Sequence, residues 1–126
     1  MDKQCIECGN PHVEGHHIIY RSETSAMINC PLNLIMLCHI HHRGNSGPHM
    51  RREIDIKYKR EFQQRLEYLF SLKECYSEDE VKEILMIPKK DARKIVKVLC
   101  TVIIGDDVGY KREDIIKQAM GGRLYG

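Results

Sequence analysis

The sequence lacks several features that would assign it to particular classes of protein. It has no Trp and only two Phe, so we expect a core built largely from aliphatic side chains. No apolar run is long enough to span a membrane, and we expect no membrane partner. The first residues, Met1 to Gln4, contain no apolar stretch, so no secretory signal is visible and we expect a cytoplasmic protein.

Length and charge leave the function open. A chain of 126 residues can form one domain, or a small metal-binding domain followed by a helical extension. A net charge of +2 permits a polyanionic partner but does not by itself indicate one. The function must therefore be sought in local motifs.

Histidine is the residue type that the chain concentrates. All seven histidines lie within the first 49 residues, among two pairs with metal-ligand spacing, Cys5-x2-Cys8 and Cys38-x2-His41. Imidazole binds transition metals and transfers protons near neutral pH. The distribution divides the chain into residues 1–50, which hold every histidine, and residues 51–126, which hold none.

The two pairs predict a structural zinc site formed by Cys5, Cys8, Cys38 and His41. Cys-x2-Cys followed by Gly9 is typical of a zinc knuckle, and the second pair supplies the remaining two ligands. Four protein ligands close the coordination shell, so this zinc should be structural. The alternatives are a disulfide framework and unrelated buried thiols. The x2 spacing, with no visible secretory signal, favours zinc.

Between the two ligand pairs the sequence predicts two short strands and a loop. The run 17–20 is β-branched and aromatic, and the run 32–37 is largely apolar. The polar segment 21–31 predicts a loop between them, and a short helix should follow Cys38. The expected order is therefore strand, loop, strand and helix.

Residues 51–126 are predicted to be almost entirely helical. Pro48 can begin the first of these helices, and its apolar stripe comprises Ile54, Tyr58, Phe62, Leu66 and Leu69. A last helix should run from about Lys111 to Met120 and stop at the two glycines that follow.

The stretch 77–104 has the pattern of a helix-turn-helix. Ser77-x2-Glu80 is a capping box, and apolar residues continue the second helix as far as Gly105. Met86 stands where such motifs usually have Gly. A recognition helix here would contact DNA phosphates through Lys89, Lys90, Arg93 and Lys94. The alternative is a plain helical hairpin with solvated lysines.

The N-terminal pattern resembles that of the HNH endonucleases. The resemblance covers roughly residues 5–49 and consists of the two ligand pairs, the run Gly15-His16-His17-Ile18-Ile19, Asn33, and the doublet His41-His42. It implies an α+β chain with a zinc-pinned ββα-metal (His-Me finger) nuclease core in 1–50, followed by a mainly α-helical region in 51–126. It also implies cleavage of DNA phosphodiester bonds with one divalent metal ion.

The resemblance assigns a role to each residue of the motif. It makes His17 the general base that activates water, and Asn33 the residue that braces the loop holding this base. It makes His16 and His42 ligands of the catalytic ion, which would be Mg²⁺, Mn²⁺, Ni²⁺ or Zn²⁺. The alternatives that give the doublet at 16 and 17 no catalytic role are a pair of surface histidines and a second structural zinc site.

The third ligand of the catalytic ion departs from the family pattern. Many members have a further His four residues after the final motif His, and that position is Ser46 here. His49 is the available substitute, reached across the segment 44–48.

Two classes of function follow from the resemblance. The first is an endonuclease that nicks or cuts both strands of DNA, acting alone, as a homodimer or in a larger phage or mobile-element complex within a bacterial cytoplasm. The second is a non-catalytic zinc-containing DNA-binding or accessory module, for example in phage DNA packaging or recombination. A zinc-stabilised protein-interaction domain is a third, and it leaves the His doublet unexplained. The retained set of His16, His17, Asn33 and His42 favours the endonuclease.

Overall fold

The computed structural model describes residues 3–126 and shows an α+β protein with two small antiparallel sheets. The strands in this range are β1 (Val13–His17), β2 (Leu34–Cys38), β3 (Cys75–Tyr76), β4 (Val102–Ile104) and β5 (Asp107–Lys111). The α-helices are α1 (His39–Arg43), α2 (Arg52–Leu69), α3 (Glu78–Leu85), α4 (Lys89–Val96) and α5 (Arg112–Ala119).

The first sheet pairs β1 with β2, and α1 follows β2 without a connecting residue. The order strand, loop, strand and helix is confirmed, but β1 lies earlier than the predicted run 17–20. The strand ends before Ile18 and Ile19 because Asn33 binds the N–H groups of both residues. The Asn33 carbonyl accepts from Ile18 N–H, and the Asn33 side chain accepts from Ile19 N–H. Both isoleucines are buried, which explains their strand-like composition.

Helix α2 begins at Arg52, four residues after Pro48, so the predicted start was too early. Gly47 explains the delay. Its carbonyl accepts from the N–H groups of Met50 and Arg51, which closes a turn, and a Cβ on Gly47 would lie 2.5 Å from the backbone oxygen of His42. The segment 44–51 is thereby folded back against the end of α1. The predicted apolar stripe is present, with Tyr58, Phe62 and Leu66 buried.

Both helices predicted in 77–104 are present, but the second is shorter than predicted. The capping box at Ser77 and Glu80 forms in both directions, and α4 follows α3 after a short turn. Met86 at that turn has the left-handed conformation (φ 55°, ψ 45°) that usually requires Gly. Helix α3 therefore ends in a conformation that favours Gly although Met occupies the position.

The second helix of this pair does not continue to Gly105, as the sequence predicted, but ends at Val96. Residues 102–104 form β4, which turns at Gly105 (φ 62°) and pairs with β5 in a sheet of order β3-β5-β4. The β-branched run before the Gly and Val108 after it are hairpin signals, and they prevail over the helical spacing. The region 51–126 is thus mainly helical with a small sheet, instead of almost entirely helical.

Residues before and after position 50 contribute to one hydrophobic core. Met27 and Leu37 belong to the same buried cluster as Phe62, Leu85 and Ile95. Helix α5 completes this core and ends before Gly121 and Gly122, close to the predicted bounds. The compositional boundary at 50 is therefore not a boundary in packing.

None of the helices in residues 3–126 is both long enough and apolar enough to cross a membrane.

We expect Met86→Gly to stabilise the fold. The left-handed conformation costs a residue with a Cβ about 1–2 kcal/mol, and Gly relieves this cost. Met86 is 56% exposed, so the substitution removes little packing. Urea unfolding should show a higher midpoint. The same change in the right-handed backbone of α3, Glu83→Gly, should lower stability by about 1 kcal/mol. A midpoint lowered equally by both would contradict this account.

Candidate metal centres

The first cluster of potential metal ligands contains Cys5, Cys8, Cys38 and His41, whose ligand atoms all lie within 4.8 Å of one another. The Sγ atoms of Cys8 and Cys38 are 3.7 Å apart, and His41 Nδ1 lies 3.2 Å from Cys38 Sγ. Two thiolates on a tetrahedral zinc, each with a bond of about 2.3 Å, are separated by about 3.8 Å. The four residues predicted from the sequence are thus together at a spacing suited to an ion such as zinc.

Local backbone structure favours the thiolate form of Cys5 and Cys38. Gly9 (φ 76°) closes the knuckle by donating its N–H to the carbonyl of Cys5 at 2.8 Å. Burial raises the pKa of Cys5, but hydrogen bonds from backbone amides, first that of Cys38, outweigh it and lower the pKa to about 6. The backbone N–H of His41 lowers the pKa of Cys38. Both effects favour the thiolate, which is the form that binds metal.

The second cluster contains His16, His42 and His49, whose ligand atoms also lie within 4.8 Å of one another. The Nε2 atoms of His42 and His49 are 3.0 Å apart. Bonds of about 2.1 Å to one ion place two neighbouring imidazole nitrogens about 3.0–3.4 Å apart. The three histidines come from β1, from α1 and from the turn before α2, so the fold assembles residues distant in the chain.

His16 is the most deeply buried member of this triad. His16 is 2% exposed, and its Nε2 is buried without a hydrogen-bond partner among the described residues. Burial, helped by the neighbouring His42 and His49, lowers the pKa of His16 to about 4. The imidazole is therefore neutral at neutral pH and keeps a lone pair. An unpaired buried nitrogen beside two other imidazoles fits a metal ligand.

Glu14 fixes the orientation of His42. The Nδ1–H of His42 donates to Glu14 Oε1 at 2.9 Å, which leaves the lone pair on Nε2, the atom that faces His49. This hydrogen bond lowers the pKa of Glu14, and the nearby Arg43 lowers it further. A carboxylate behind a histidine ligand is a common arrangement at metal sites. Sequence analysis missed Glu14, although the two-residue period of a strand places it on the same face as His16.

His17 stands apart from the triad. Its Nε2–H donates to the carbonyl oxygen of Ile28 at 3.1 Å, so a neutral His17 carries its lone pair on Nδ1. As the last residue of β1, it lines the same cleft as its neighbour His16. Adjacent residues within a regular strand point to opposite faces. The strand pairing is regular through both positions, but β1 ends at His17, and both side chains line the cleft.

Asn33 ties down the loop that holds His17. Its side-chain amide is fully buried and donates to the carbonyls of Ile19 and Met27, at 3.1 Å each. It also accepts the N–H of Ile19 at 2.7 Å. Met27 immediately precedes Ile28, whose carbonyl holds His17. The Asn33 amide therefore fixes the position of the backbone against which His17 is oriented.

An open cleft of about 490 Å³ joins these elements. His16, His17, His42 and His49 line it, and all four were candidate site residues in the sequence, His49 as the substitute for the family's third ligand. Arg21, Ser22 and Arg43 also line it, and sequence analysis did not single them out. Arg21 is exposed, and Arg43 lies 3.4 Å from Glu14 Oε1. Neither arginine belongs to a sequence motif. Arg21 reaches the cleft because the loop after β1 folds towards it.

The basic residues predicted to contact DNA lie elsewhere. Lys89, Lys90, Arg93 and Lys94 are exposed on α4 and do not line the cleft. Arg93 approaches Glu78 at 3.5 Å, and Lys94 approaches Asp91 at 3.6 Å. Lys94 also contacts Ser25 Oγ at 3.4 Å, so α4 touches the loop after β1, whose first residues line the cleft.

We expect Cys38→Ser to release the metal ion of the first cluster and to unfold much of the N-terminal sheet. Cys38 supplies a thiolate at the junction of β2 and α1, and serine oxygen is a poor substitute for it. Zinc content and circular dichroism after mild chelation provide the measurement. Cys100→Ser changes an exposed cysteine outside the cluster and should leave both unchanged. Full zinc retention in Cys38→Ser would exclude this thiol as a ligand.

Comparison with known proteins gives no assignment. No family model matches the chain, and no curated protein or solved structure matches it. Function must therefore be inferred from the two clusters, the cleft and the residues around them.

Proposed function

We propose that this chain is a metal-dependent endonuclease of the HNH type, with a zinc-stabilised ββα-metal core that hydrolyses DNA phosphodiester bonds. One observation carries the proposal: a triad of potential metal ligands (His16, His42, His49) shares an open cleft with a separately held histidine, His17. A structural metal site alone does not require a separate histidine such as His17 in the same cleft. Phosphodiester hydrolysis needs both, because water must lose a proton while negative charge on the phosphate is stabilised.

The triad fits a divalent cation that keeps open positions. Three imidazoles leave room for substrate oxygen and water, in contrast to the four-ligand cluster, which closes its own shell. When bound there, such an ion supplies stabilisation of the charge that develops on the phosphate and the leaving oxygen. The Glu14 carboxylate keeps the His42 lone pair directed at the site. Imidazole ligands suit transition metals such as Zn²⁺ and Ni²⁺ better than Mg²⁺.

His17 is positioned to act as the general base. Its Nε2–H is already engaged by Ile28, so Nδ1 is the atom that takes the proton from the attacking water. The hydrogen bond to the carbonyl persists in the imidazolium and stabilises it. Asn33 holds the Met27–Ile28 backbone in place, so the ring does not have to be ordered during the reaction.

The cleft arginines suit a phosphate substrate. Guanidinium groups bind phosphate oxygens through paired N–H donors, and Arg21 and Arg43 offer them on the same cleft as His17. Arg43 is partly neutralised by Glu14, whereas Arg21 is exposed. We assign both to orientation of the DNA backbone.

Helix α4 extends the proposed DNA-binding surface beyond the cleft. Its exposed face carries Lys89, Lys90, Arg93 and Lys94. The contact between Lys94 and Ser25 connects this face to the loop 21–25, whose first residues line the cleft. A duplex bound at the cleft could therefore place flanking phosphates against α4. Cleavage of both strands would call for a second active site, supplied by a homodimer or a larger assembly.

Replacing His17 should abolish DNA cleavage without unfolding the protein. General bases contribute about 10²–10⁴-fold to rate, so His17→Ala should convert supercoiled plasmid at least about 100 times more slowly. Plasmid conversion is measured with Mg²⁺, Mn²⁺, Ni²⁺ and Zn²⁺ in turn. His12→Ala, a change at an exposed histidine outside the cleft, is the matched control and should cleave normally.

Two results of the plasmid experiment would refute the enzymatic proposal. One is identical conversion by wild type and His17→Ala in every metal. The other is no conversion by the wild type in any metal, together with measurable DNA binding, which would favour the non-catalytic DNA-binding module.

Helix α4 can be tested through the salt dependence of DNA binding. Each lost phosphate contact lowers the slope of log K against log salt by about 0.9, so Lys90→Ala should reduce this slope by about that amount. Lys111→Ala removes an equally exposed lysine from β5 and should leave the slope unchanged. Equal slopes for all three proteins would remove α4 from the DNA-binding surface and favour the plain helical hairpin.

A further inference from the structure

We infer that Tyr20 is a positioning residue for the second metal centre: its ring fixes His49, the most exposed of the three ligands. The inference rests on the proposed function only in taking the triad as a metal site. It concerns a residue outside the HNH motif. It also explains how a ligand carried by a glycine-containing turn can be held in place.

His49 needs such support because its own segment gives little. Unlike His16 and His42, it is exposed, and it lies on the turn that separates α1 from α2. Gly44 and Gly47 within this turn contribute no side chains. The backbone bonds of the turn close it against α1 but do not restrict the imidazole itself. An unsupported ring would sample several rotamers and lose more entropy on binding a cation.

Tyr20 supplies a ring contact to His49 from outside the triad. Its ring is nearly parallel to that of His49, with an interplanar angle of 11° and a centroid separation of 6.1 Å. The same ring meets His16 edge-on at 5.9 Å. These separations are those of offset-stacked and T-shaped aromatic pairs. Tyr20 thus contacts a ligand on the strand and a ligand on the turn, and it forms part of the cleft wall between them.

Tyr20 is itself held from its hydroxyl end. Its hydroxyl donates to Asp55 Oδ1 at 2.6 Å, and the Lys59 ammonium lies 4.2 Å from the ring centroid. Lys59 is 4% exposed and pairs with Asp55 Oδ2 and with Glu23 Oε1, at 3.0 Å each. Helix α2 therefore presents Asp55 and Lys59, one turn apart, to the hydroxyl and to the ring.

Glu23 closes the network on the backbone side. Its Oε1 accepts the N–H of Tyr20 at 2.9 Å and also pairs with Lys59. Burial lowers the pKa of Lys59, but its two carboxylate partners outweigh this effect and the pKa is raised, so the ammonium stays charged. Breaking a buried network of this kind is costly, and Tyr20 consequently has one defined position from which to stack on His49.

The test measures Co²⁺ binding to protein that holds one equivalent of zinc, which occupies the thiolate cluster and leaves the three histidines free. Calorimetry gives the affinity, and the absence of a thiolate-to-cobalt absorption band shows that Co²⁺ has not entered the cysteine cluster. We expect Tyr20→Leu to weaken Co²⁺ binding by about 10–100-fold, the usual effect of removing a group that orients a metal ligand. Tyr20→Phe loses the hydroxyl bond but keeps the ring against the Lys59 ammonium, and Asp55 keeps its pair with Lys59, so this variant should bind Co²⁺ more tightly than Tyr20→Leu.

A double-mutant cycle separates positioning from a general loss of structure. If Tyr20 acts through His49, Tyr20→Leu should have almost no further effect on Co²⁺ affinity in the His49→Ala background. Zinc content and the thermal midpoint of each variant confirm folding. Equal effects of Tyr20→Leu in both backgrounds, or a Tyr20→Phe variant as weak as Tyr20→Leu, would overturn the inference.

Failure of the inference can be told apart from failure of the proposed function. Wild-type protein that binds one Co²⁺ ion, with the binding lost in His16→Ala, establishes the triad as a metal site. If Tyr20→Leu then binds Co²⁺ like the wild type, only the role of Tyr20 is refuted. A wild-type protein that holds only one equivalent of zinc and binds no Co²⁺ refutes the metal site of the proposed function together with this inference.

Discussion

The arrangement depends on the junction of β2 and α1, where Cys38 ends the strand and His41 and His42 occupy the short helix. Successive residues on a helix point about 100° apart. When His41 turns towards Cys5 and Cys38, His42 must turn away from them, and it meets Glu14 and His49. Closing the cysteine cluster fixes the helix and thereby aims the ligand of the second site. The two centres share one turn of backbone while their chemistry stays separate.

The second centre brings together polar groups whose burial costs free energy. His16 is buried with an unpaired nitrogen, and two imidazole nitrogens face each other at 3.0 Å. An apolar core would not tolerate this without compensation, because a buried polar group without a partner costs about 1–3 kcal/mol. The Asn33 amide, in contrast, uses both of its N–H groups and its carbonyl oxygen in hydrogen bonds. Full satisfaction at Asn33 and deficiency at His16 distinguish a structural polar group from one suited to a ligand.

Motif spacing predicted the four residues of the first cluster because its two ligand pairs are local in sequence and their spacing follows from the turn that carries them. The candidate triad came from the family resemblance, with His49 as the substitute for a ligand at position 46. The resemblance also implied the α+β class, whereas local apolar runs and a polar segment predicted the order of the first four elements. Glu14, Tyr20 and Arg21 were not found, since their roles arise from contacts with residues far along the chain.

The C-terminal sheet was missed for a different physical reason. The run 102–104 is apolar and β-branched, and over so short a length helical and strand spacing give the same pattern. Tertiary pairing with β5 decides between them.

The loop between β1 and β2 gives the first fifty residues a dependence on the rest of the chain. Cys30 Sγ donates to the carbonyl of Leu85, Asn29 bonds Asp91, and the turn Ser25–Met27 packs against α4. The loop that orients His17 is therefore supported from outside the motif. The N-terminal region therefore cannot be transferred to another protein as an independent unit. It would keep its candidate metal ligands but lose the contacts with residues 85–96 that support this loop.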